Sequence, residues 1–319
     1  MKKTAFFVFL MALGMALPAQ KIPRLTEGDT VAIVATSARV QPEQVLPAVQ
    51  FLQEQGFIVI VPDGLWDDYE GFAGTIAHRT ALVQQFLDRT GIKAILCARG
   101  GYGAVSLLDS LDFTAFRKHP KWICGFSDVT ALHSHLHTLG FPTLHCVMPV
   151  TIHEEDLNNE YNLSLINALH GKPLRYDFKT NPYNRLGTVT APIVGGNLSI
   201  LYSLLESASS INTDGKILFI EDVGENIYHI HRMLVALDRA GKLRNLKALV
   251  VGSMRKIKFD DYYINSTIEE VIMELCGKYN YPVCFDFPAG HGGQNYALPL
   301  GRTAKLTIGA DSCSILFEE

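Results

Sequence analysis

Ser127 lies where an apolar stretch of the sequence meets an amphipathic one. It stands in Gly125-Phe-Ser-Asp128, between a predicted strand over 121–125 and a predicted helix over about 129–139. A serine on a sharp strand-to-helix turn has its hydroxyl exposed, as in a nucleophile elbow, and the N–H of Asp128 then faces a developing oxyanion. The second glycine of that motif is missing, and serine before a helix is also an ordinary N-cap. This fragment alone therefore leaves both interpretations open.

A glycine-rich turn follows the preceding predicted strand, which covers 93–98. It reads Arg99-Gly-Gly-Tyr-Gly103. Its glycines permit positive φ and a close approach of backbone to ligand, so free N–H groups here can face the same crevice as Ser127. The alternatives are a dinucleotide fingerprint and a tight turn without function. The fingerprint is weak because Ser106 occupies the place of its third glycine and the first predicted strand has no such motif.

A carboxylate and a histidine in the second half of the chain are candidates to assist a nucleophile. Glu221 directly follows the predicted strand 216–220, where its side chain can point into a crevice and orient a histidine. His291 lies in Pro288-Ala-Gly-His-Gly-Gly293, whose glycines leave the imidazole accessible as a general base. Each also has an ordinary interpretation, because acidic residues favour helix starts and loop histidines are commonly only solvated.

Two other patterns carry less weight. His133, His135 and His137 lie on one predicted helix, but only the first and last share a face, and H-E-x-x-H is absent. We therefore expect no metal site. Ser253-Met-Arg-Lys256 matches the S-x-x-K of penicillin-binding enzymes, yet the chain has no K-T-G, and we treat the match as chance.

These candidates must be positioned by an alternation of short apolar runs and amphipathic segments. Strands alternating with helices predict βαβ units and a mostly parallel sheet, with ligands at the carboxyl ends of the strands. Ser127 and the glycine-rich turn both follow such strands. The predicted strands of this half are 30–35, 57–61, 93–98 and 121–125, and the predicted helices are 41–55, 76–88, 104–111 and 129–139.

The pattern divides the chain into domains. Residues 20–155 form the predicted N-terminal α/β domain, which carries the nucleophile. Residues 156–186 are polar and rich in asparagine, which predicts a linker. Residues 187–319 are predicted to form a smaller mixed α/β domain that carries Glu221 and His291. It ends in a hairpin around Gly309-Ala-Asp.

The N-terminus reads as an export signal. Lys2 and Lys3 precede an apolar run over 5–18, which is too short for a comfortable membrane span and predicts a signal peptide cleaved after Ala19. An uncleaved anchor is the alternative. After cleavage the chain has 26 basic and 32 acidic residues, a formal charge of −6, and we expect an exported, periplasmic protein without stable membrane insertion. This net negative charge gives no indication of the basic surface that nucleic-acid-binding proteins have.

Six cysteines in an exported chain raise the question of disulfides. There is no C-x-x-C, and Cys97, Cys124 and Cys284 lie in apolar runs typical of buried strands. We therefore expect free, buried thiols that act as small hydrophobic residues, with a single bridge left open.

Taken in order, six stretches resemble the LD-carboxypeptidase family of serine peptidases, the group that includes the microcin-immunity peptidases. Each stretch is a weak signal alone, but all six occur in the family's order across nearly the whole mature chain. They are Gly28-Asp-Thr-Val-Ala-Ile-Val-Ala-Thr-Ser37, Ala98-Arg-Gly-Gly-Tyr-Gly103, Gly125-Phe-Ser-Asp-Val-Thr130, Gly195-Gly-Asn-Leu198, Leu218-Phe-Ile-Glu-Asp-Val223 and Gly290-His291.

The resemblance implies a Ser–Glu–His triad of Ser127, Glu221 and His291. It also implies an oxyanion hole formed by the backbone N–H groups of Gly101 and Asp128. The implied fold is α/β, with an N-terminal mostly parallel sheet domain similar to class I glutamine amidotransferases and a smaller C-terminal swivelling β/β/α domain. No metal and no cofactor is required.

The implied substrate is a murein tetrapeptide whose terminal D-Ala is joined to the L-centre of a diamino acid. Its cleavage belongs to cell-wall turnover or recycling, and a homodimer is compatible with the family. Recycling members work in the cytoplasm, so the export signal favours periplasmic turnover here. The alternatives are a microcin-type peptidase acting on peptidyl-nucleotides, a non-catalytic murein-binding protein and a general serine esterase.

Overall fold

Two β-sheets with flanking helices form the protein in a computed structural model that describes residues 20–259 and 265–318. The predicted signal peptide, 1–19, lies outside these residues. The strands are β1 Thr30–Val34, β2 Ile58–Ile60, β3 Ile92–Cys97, β4 Trp122–Gly125, β5 Thr143–His145, β6 Leu174–Lys179, β7 Gly187–Asn197, β8 Ile217–Val223, β9 Ala248–Arg255, β10 Val283–Cys284, β11 Leu298–Leu300, β12 Thr303–Ile308 and β13 Ser312–Phe317. The α-helices are α1 Pro42–Glu54, α2 Ile76–Asp88, α3 Thr114–Lys118, α4 Thr130–Thr138, α5 Glu160–Leu169, α6 Leu198–Ser203, α7 Ile227–Arg239 and α8 Ile268–Cys276.

The first sheet has the order β11-β5-β4-β3-β1-β2. Its five N-terminal strands are parallel, and β11 pairs antiparallel with β5 at one edge. Strands β1, β3 and β4 are buried almost throughout, as expected for parallel strands covered on both faces, whereas the edge strand β2 is partly exposed. The predicted mostly parallel α/β sheet is confirmed. The helix expected over 104–111 is instead a 3₁₀ helix, Val105–Ser110.

The second sheet has the order β10-β9-β8-β7-β12-β13-β6. Strands β7 to β10 pair in parallel, whereas β7, β12, β13 and β6 pair antiparallel. Helix α7 buries one apolar face, with Ile227, Ile230, Met233, Leu234 and Leu237. The predicted terminal hairpin is present as β12 and β13.

The segment 156–186, predicted to be a linker, is instead structured. It contains helix α5 and strand β6, and β6 forms an edge of the second sheet by pairing with β13. The asparagines that suggested a linker include a helix cap, because the Asn159 side chain accepts hydrogen bonds from the N–H groups of Tyr161 and Asn162. The polar composition of this segment therefore reflects the start of a helix that lies, along the chain, between a strand of the first sheet and a strand of the second.

Two glycines at the end of β7 permit close packing beside the candidate nucleophile, Gly195 against the neighbouring strand β8 and Gly196 against the start of α4. At Gly195 a Cβ would lie 1.9 Å from the carbonyl oxygen of Phe219, and at Gly196 it would lie 2.4 Å from Thr130 Oγ1. Both have positive φ, so a side chain would be strained as well as crowded. The backbone N–H of Asn197 then donates to Thr130 Oγ1 at 2.9 Å. The end of β7 therefore docks onto the start of α4.

The six cysteines are all free and buried, as the sequence predicts. Burial raises the pKa of the Cys97 thiol to about 12, which keeps it protonated and unreactive. In the part of the chain that the structure describes, no helix has the length and apolar character needed to cross a membrane.

Candidate active site

Ser127 adopts a backbone conformation that is rare for a residue with a side chain. Its φ is +63°, and it begins a short 3₁₀ helix, Ser127–Val129, that leads into α4. Such strain is tolerated where the surrounding structure fixes it, and it is a feature of the nucleophile elbow. Val129 replaces the motif's second glycine. Its methyl group fits because Gly125 has no Cβ, and a Cβ there would lie 3.0 Å from Val129 Cγ2.

The structure brings Ser127, His291 and Glu221 into one hydrogen-bonded row. His291 Nε2 lies 3.0 Å from Ser127 Oγ, and His291 Nδ1 lies 2.6 Å from Glu221 Oε2. An ionised carboxylate can only accept, so Nδ1 carries the proton that is donated to Glu221. Nε2 is thereby left free to accept a hydrogen bond from the Ser127 hydroxyl. This is the arrangement in which an imidazole can take the proton of a serine.

Glu221 is fully buried at the carboxyl end of β8 and is held by the adjacent strand. Asn197 Nδ2 lies 3.2 Å from both Glu221 Oε1 and Asp222 Oδ1 and donates to the two carboxylates. Asp222 also accepts from the backbone N–H groups of Ser199 and Val223. Burial raises the pKa of Asp222 to about 6, and the charge of Glu221 adds to this effect.

The imidazole of His291 is placed by a glycine with positive φ. Gly290 has a φ of +110°, and a Cβ there would lie 2.6 Å from Glu221 Oε2. The loop can therefore approach the carboxylate only with glycine at this position. Burial alone lowers the pKa of His291, but its hydrogen bond to Glu221 and the negative charge of that carboxylate outweigh burial and raise the pKa above its ordinary value.

The glycine-rich turn passes directly beside Ser127. A Cβ on Gly100 would lie 2.9 Å from Ser127 Cβ and 3.0 Å from Ser127 Oγ. The N–H of Gly101 belongs to the next peptide of this turn, and Asp128 directly follows Ser127 in the first turn of a helix. Backbone N–H groups in a first helical turn have no partner within the helix. Both residues expected to form an oxyanion hole therefore lie on segments that flank the serine.

The side chain of Asp128 has a structural role that the sequence did not indicate. Its Oδ2 accepts from Ser37 Oγ at 2.5 Å and from the N–H of Ala104 at 2.8 Å. Buried Arg79 donates to the carbonyl oxygens of Gly103 and Thr36. The end of the glycine-rich turn is thus fixed to the residue that follows Ser127.

The histidines on α4 and β5 support the backbone of the site. His133 Nε2 lies 2.9 Å from the carbonyl oxygen of Gly125, and His145 Nε2 lies 2.9 Å from Asn295 Oδ1, which also accepts from the N–H of Gly290. Burial lowers the pKa of His133 to about 4 and that of His145 to about 3, so both are neutral. Among the described residues, no group of three or more His, Cys, Asp or Glu side chains has an arrangement that could hold a metal ion.

A cavity of about 450 Å³ opens beside His291. One wall is formed by Phe126, Gly290, His291 and Asn295. A second part of the lining comes from the segment between β5 and the first turn of α5, and includes His153, Asp156, Asn159 and Asn162. Much of this second wall comes from the region predicted to be a linker, so sequence reasoning missed it.

Comparison with known proteins decides the family. The LD-carboxypeptidase N-terminal domain matches residues 31–146, and the LD-carboxypeptidase C-terminal domain matches residues 190–306. The chain is a member of the LD-carboxypeptidase family. The predicted resemblance is confirmed, and the two matched regions lie within the two predicted domains.

Curated members of the LD-carboxypeptidase family align over most of the chain. A probable murein peptide carboxypeptidase of Bacillus subtilis is 32% identical over 88% of this chain and 90% of its own length. A murein tetrapeptide carboxypeptidase of Pseudomonas aeruginosa is 28% identical over 86% of this chain and 92% of its own.

Solved structures share the fold. The crystal structure of muramoyltetrapeptide carboxypeptidase from Oxalobacter formigenes superimposes with a TM-score of 0.83, at 26% identity over 91% of this chain and 99% of that one. The microcin C7 self-immunity protein MccF superimposes with a TM-score of 0.80 at 24% identity, covering 95% of this chain and 99% of its own. The likeness to MccF shows the common fold alone.

Proposed function

We propose that this LD-carboxypeptidase family member is a serine peptidase that removes the terminal D-Ala from murein tetrapeptides. The observation that carries the proposal is the row Ser127–His291–Glu221, with distances of 3.0 and 2.6 Å. The row lies in a chain that is 32% identical to a probable murein peptide carboxypeptidase. It supplies a nucleophile, a base and an orienting carboxylate, which together suffice for acyl transfer.

The reaction follows from these roles. Ser127 Oγ attacks the carbonyl carbon of the diamino acid while His291 Nε2 takes the hydroxyl proton. The N–H groups of Gly101 and Asp128 donate to the oxyanion, and Glu221 stabilises the imidazolium. His291 then protonates the amine of the departing D-Ala as the C–N bond breaks, which leaves an acyl-enzyme. Water, deprotonated by His291, hydrolyses the ester and returns Ser127. Each step uses groups of this chain, substrate and water.

The test is release of D-Ala from a defined substrate. Mature protein is incubated with disaccharide tetrapeptide, and the tripeptide and D-Ala products are followed by mass spectrometry, with and without EDTA. We expect release that EDTA does not reduce. A D,D-linked pentapeptide is the matched control and should not lose its last residue. Cleavage of the pentapeptide but not the tetrapeptide would contradict the proposal and favour a D,D-specific enzyme.

The acidic limb of the pH profile should report His291. Nε2 has to be unprotonated to accept the serine proton, and the pKa of His291 lies above the ordinary value of 6.5. We therefore expect kcat/KM to rise as pH rises through this elevated pKa and to be lost as pH falls through it. Initial rates on the tetrapeptide between pH 5 and 9 measure the limb. A limb well below 6.5 would mean that Glu221 does not stabilise the protonated imidazole.

We also propose that the enzyme acts outside the cytoplasm. The support is Lys2 and Lys3 followed by the apolar run 5–18, a segment outside the described residues. The N-terminal sequence of the protein recovered from a periplasmic fraction tests this idea, and we expect it to begin at Gln20. Recovery of full-length chain from the cytoplasm would contradict it.

A further inference from the structure

The cavity beside His291 is much larger than the small leaving group requires. Its volume of about 450 Å³ falls within the range of pockets that bind small molecules, about 300–1,000 Å³. D-Ala contributes only a methyl group and a carboxylate. The cavity therefore has room for a long side chain next to the scissile bond.

The charge of the cavity favours a cation. Asp156 is the one carboxylate among the described residues that line it, and no lysine or arginine lines it with Asp156. The 3₁₀ turn that carries Asp156 also carries the acidic residues Glu154 and Glu155. A terminal carboxylate placed here would be repelled, whereas an ammonium group would be attracted. The charge thus disfavours the D-Ala carboxylate in this cavity.

The turn around Asp156 is held by hydrogen bonds from the buried side chain of Asn162. Asn162 is fully buried, and its Nδ2 donates to the carbonyl oxygens of Asp156 and Leu157 at 3.2 and 2.9 Å. These two bonds fix the orientation of the amide and leave Asn162 Oδ1 without a protein partner. A buried amide oxygen normally has a hydrogen-bond partner, so an unpaired one in a cavity wall suits a ligand that donates.

On the cavity's other wall, Asn295 shows the complementary feature. Its Oδ1 is occupied by the N–H of Gly290 and by His145, while its Nδ2 has no protein partner. Two residues that line the cavity thus contribute an unpaired acceptor and an unpaired donor, and a third contributes one carboxylate. This combination fits a polar side chain that ends in an ammonium group.

We infer that the cavity binds the side chain of the diamino acid that precedes the scissile bond, with its ammonium group paired to the Asp156 carboxylate. The inference rests on the proposed function. It adds to that function the group of the substrate that the enzyme recognises, the side-chain ammonium of the diamino acid. It assigns the acyl side of the substrate to this cavity and makes Asp156 a specificity-determining residue.

The experiment compares two synthetic tetrapeptides that differ only in one charge. One stem carries L-lysine before the terminal D-Ala, and the other carries L-norleucine, which lacks the ammonium group. The variants are Asp156→Asn and, as a matched control on the same exposed turn, Glu155→Gln. The backbone N–H and carbonyl oxygen of Asp156 form the hydrogen bonds of the turn, so Asn should preserve it.

We expect wild-type enzyme to prefer the lysine stem by about tenfold or more in kcat/KM, mostly through KM. Asp156→Asn should lose that preference by slowing the lysine stem while leaving the norleucine stem within about twofold, and Glu155→Gln should behave as wild type. Equal loss on both stems, or retained preference in Asp156→Asn, would overturn the inference. Failure of wild-type enzyme to release D-Ala from either stem and from murein tetrapeptide would instead count against the proposed function.

Discussion

Replacing Ser127 with alanine is expected to lower kcat for D-Ala release by about 10⁴- to 10⁶-fold, with little change in substrate binding. The reason is the 3.0 Å hydrogen bond between Ser127 Oγ and His291 Nε2, which places the only atom that can form the acyl-enzyme in the proposed mechanism. Alanine keeps the Cβ at the strained backbone position, so the melting temperature should change little. Product release measured by mass spectrometry over several days would reveal residual turnover.

A second serine provides the control for this substitution. Ser203 is exposed at the end of α6, where its hydroxyl donates to the carbonyl oxygen of Ile200, and Ser203→Ala should retain full activity. A fluorophosphonate probe should label wild-type enzyme and Ser203→Ala, but not Ser127→Ala. Full activity in Ser127→Ala, with the fold intact by circular dichroism, would remove the nucleophile from the proposal.

The first sheet could be predicted closely because its signal is local. Parallel strands buried on both faces give short continuous apolar runs, and the four predicted at 30–35, 57–61, 93–98 and 121–125 correspond to β1 to β4. The antiparallel edge strand β11 could not be predicted in the same way. Leu298–Leu300 is three residues long and pairs with β5, more than 150 residues earlier in the chain. No local pattern specifies such a pairing.

The segment 156–186 was wrongly interpreted because asparagine has two roles. Its polar side chain is common in linkers, but Asn159 caps α5 and Asn162 is buried against backbone carbonyls of the preceding turn. Both roles look alike in composition. The wall of the cavity that carries Asp156 was missed for this reason.

Ser127, Glu221 and His291 could each be selected from local motifs, but their proximity could not. Ser127 and His291 are 164 residues apart, and their contact depends on the docking of β7 onto α4 through Gly196 and Thr130. The Asp128 side chain and Arg79 were missed because their partners, the Ser37 hydroxyl and several backbone atoms, lie on loops distant in the sequence. Hydrogen bonds of this kind leave no periodicity in the sequence.

Glu221→Gln should reduce kcat by about 10⁴-fold while KM changes little. The carboxylate can only accept from His291 Nδ1, at 2.6 Å, and this forces the proton onto Nδ1. A glutamine amide can also donate to Nδ1, which would place the ring proton on Nε2, where it faces Ser127 and prevents the serine from losing its own proton. Side-chain volume is conserved, so the fully buried position should tolerate the change. Steady-state kinetics on the tetrapeptide separate kcat from KM.

Glu225 offers the matched control for this argument. It lies four residues further along the chain, and its carboxylate pairs with His229 at 2.5 Å. Glu225→Gln should therefore retain nearly full activity.

The small residual activity of Glu221→Gln should also show its acidic limb at lower pH than wild type, because the interaction that raises the pKa of His291 has been removed. An acidic limb that stays in place, or a kcat within tenfold of wild type, would mean that His291 is oriented by something other than Glu221. A purely structural role for this buried carboxylate would lower the melting temperature without moving the limb, so the two measurements together separate orientation of the base from support of the fold.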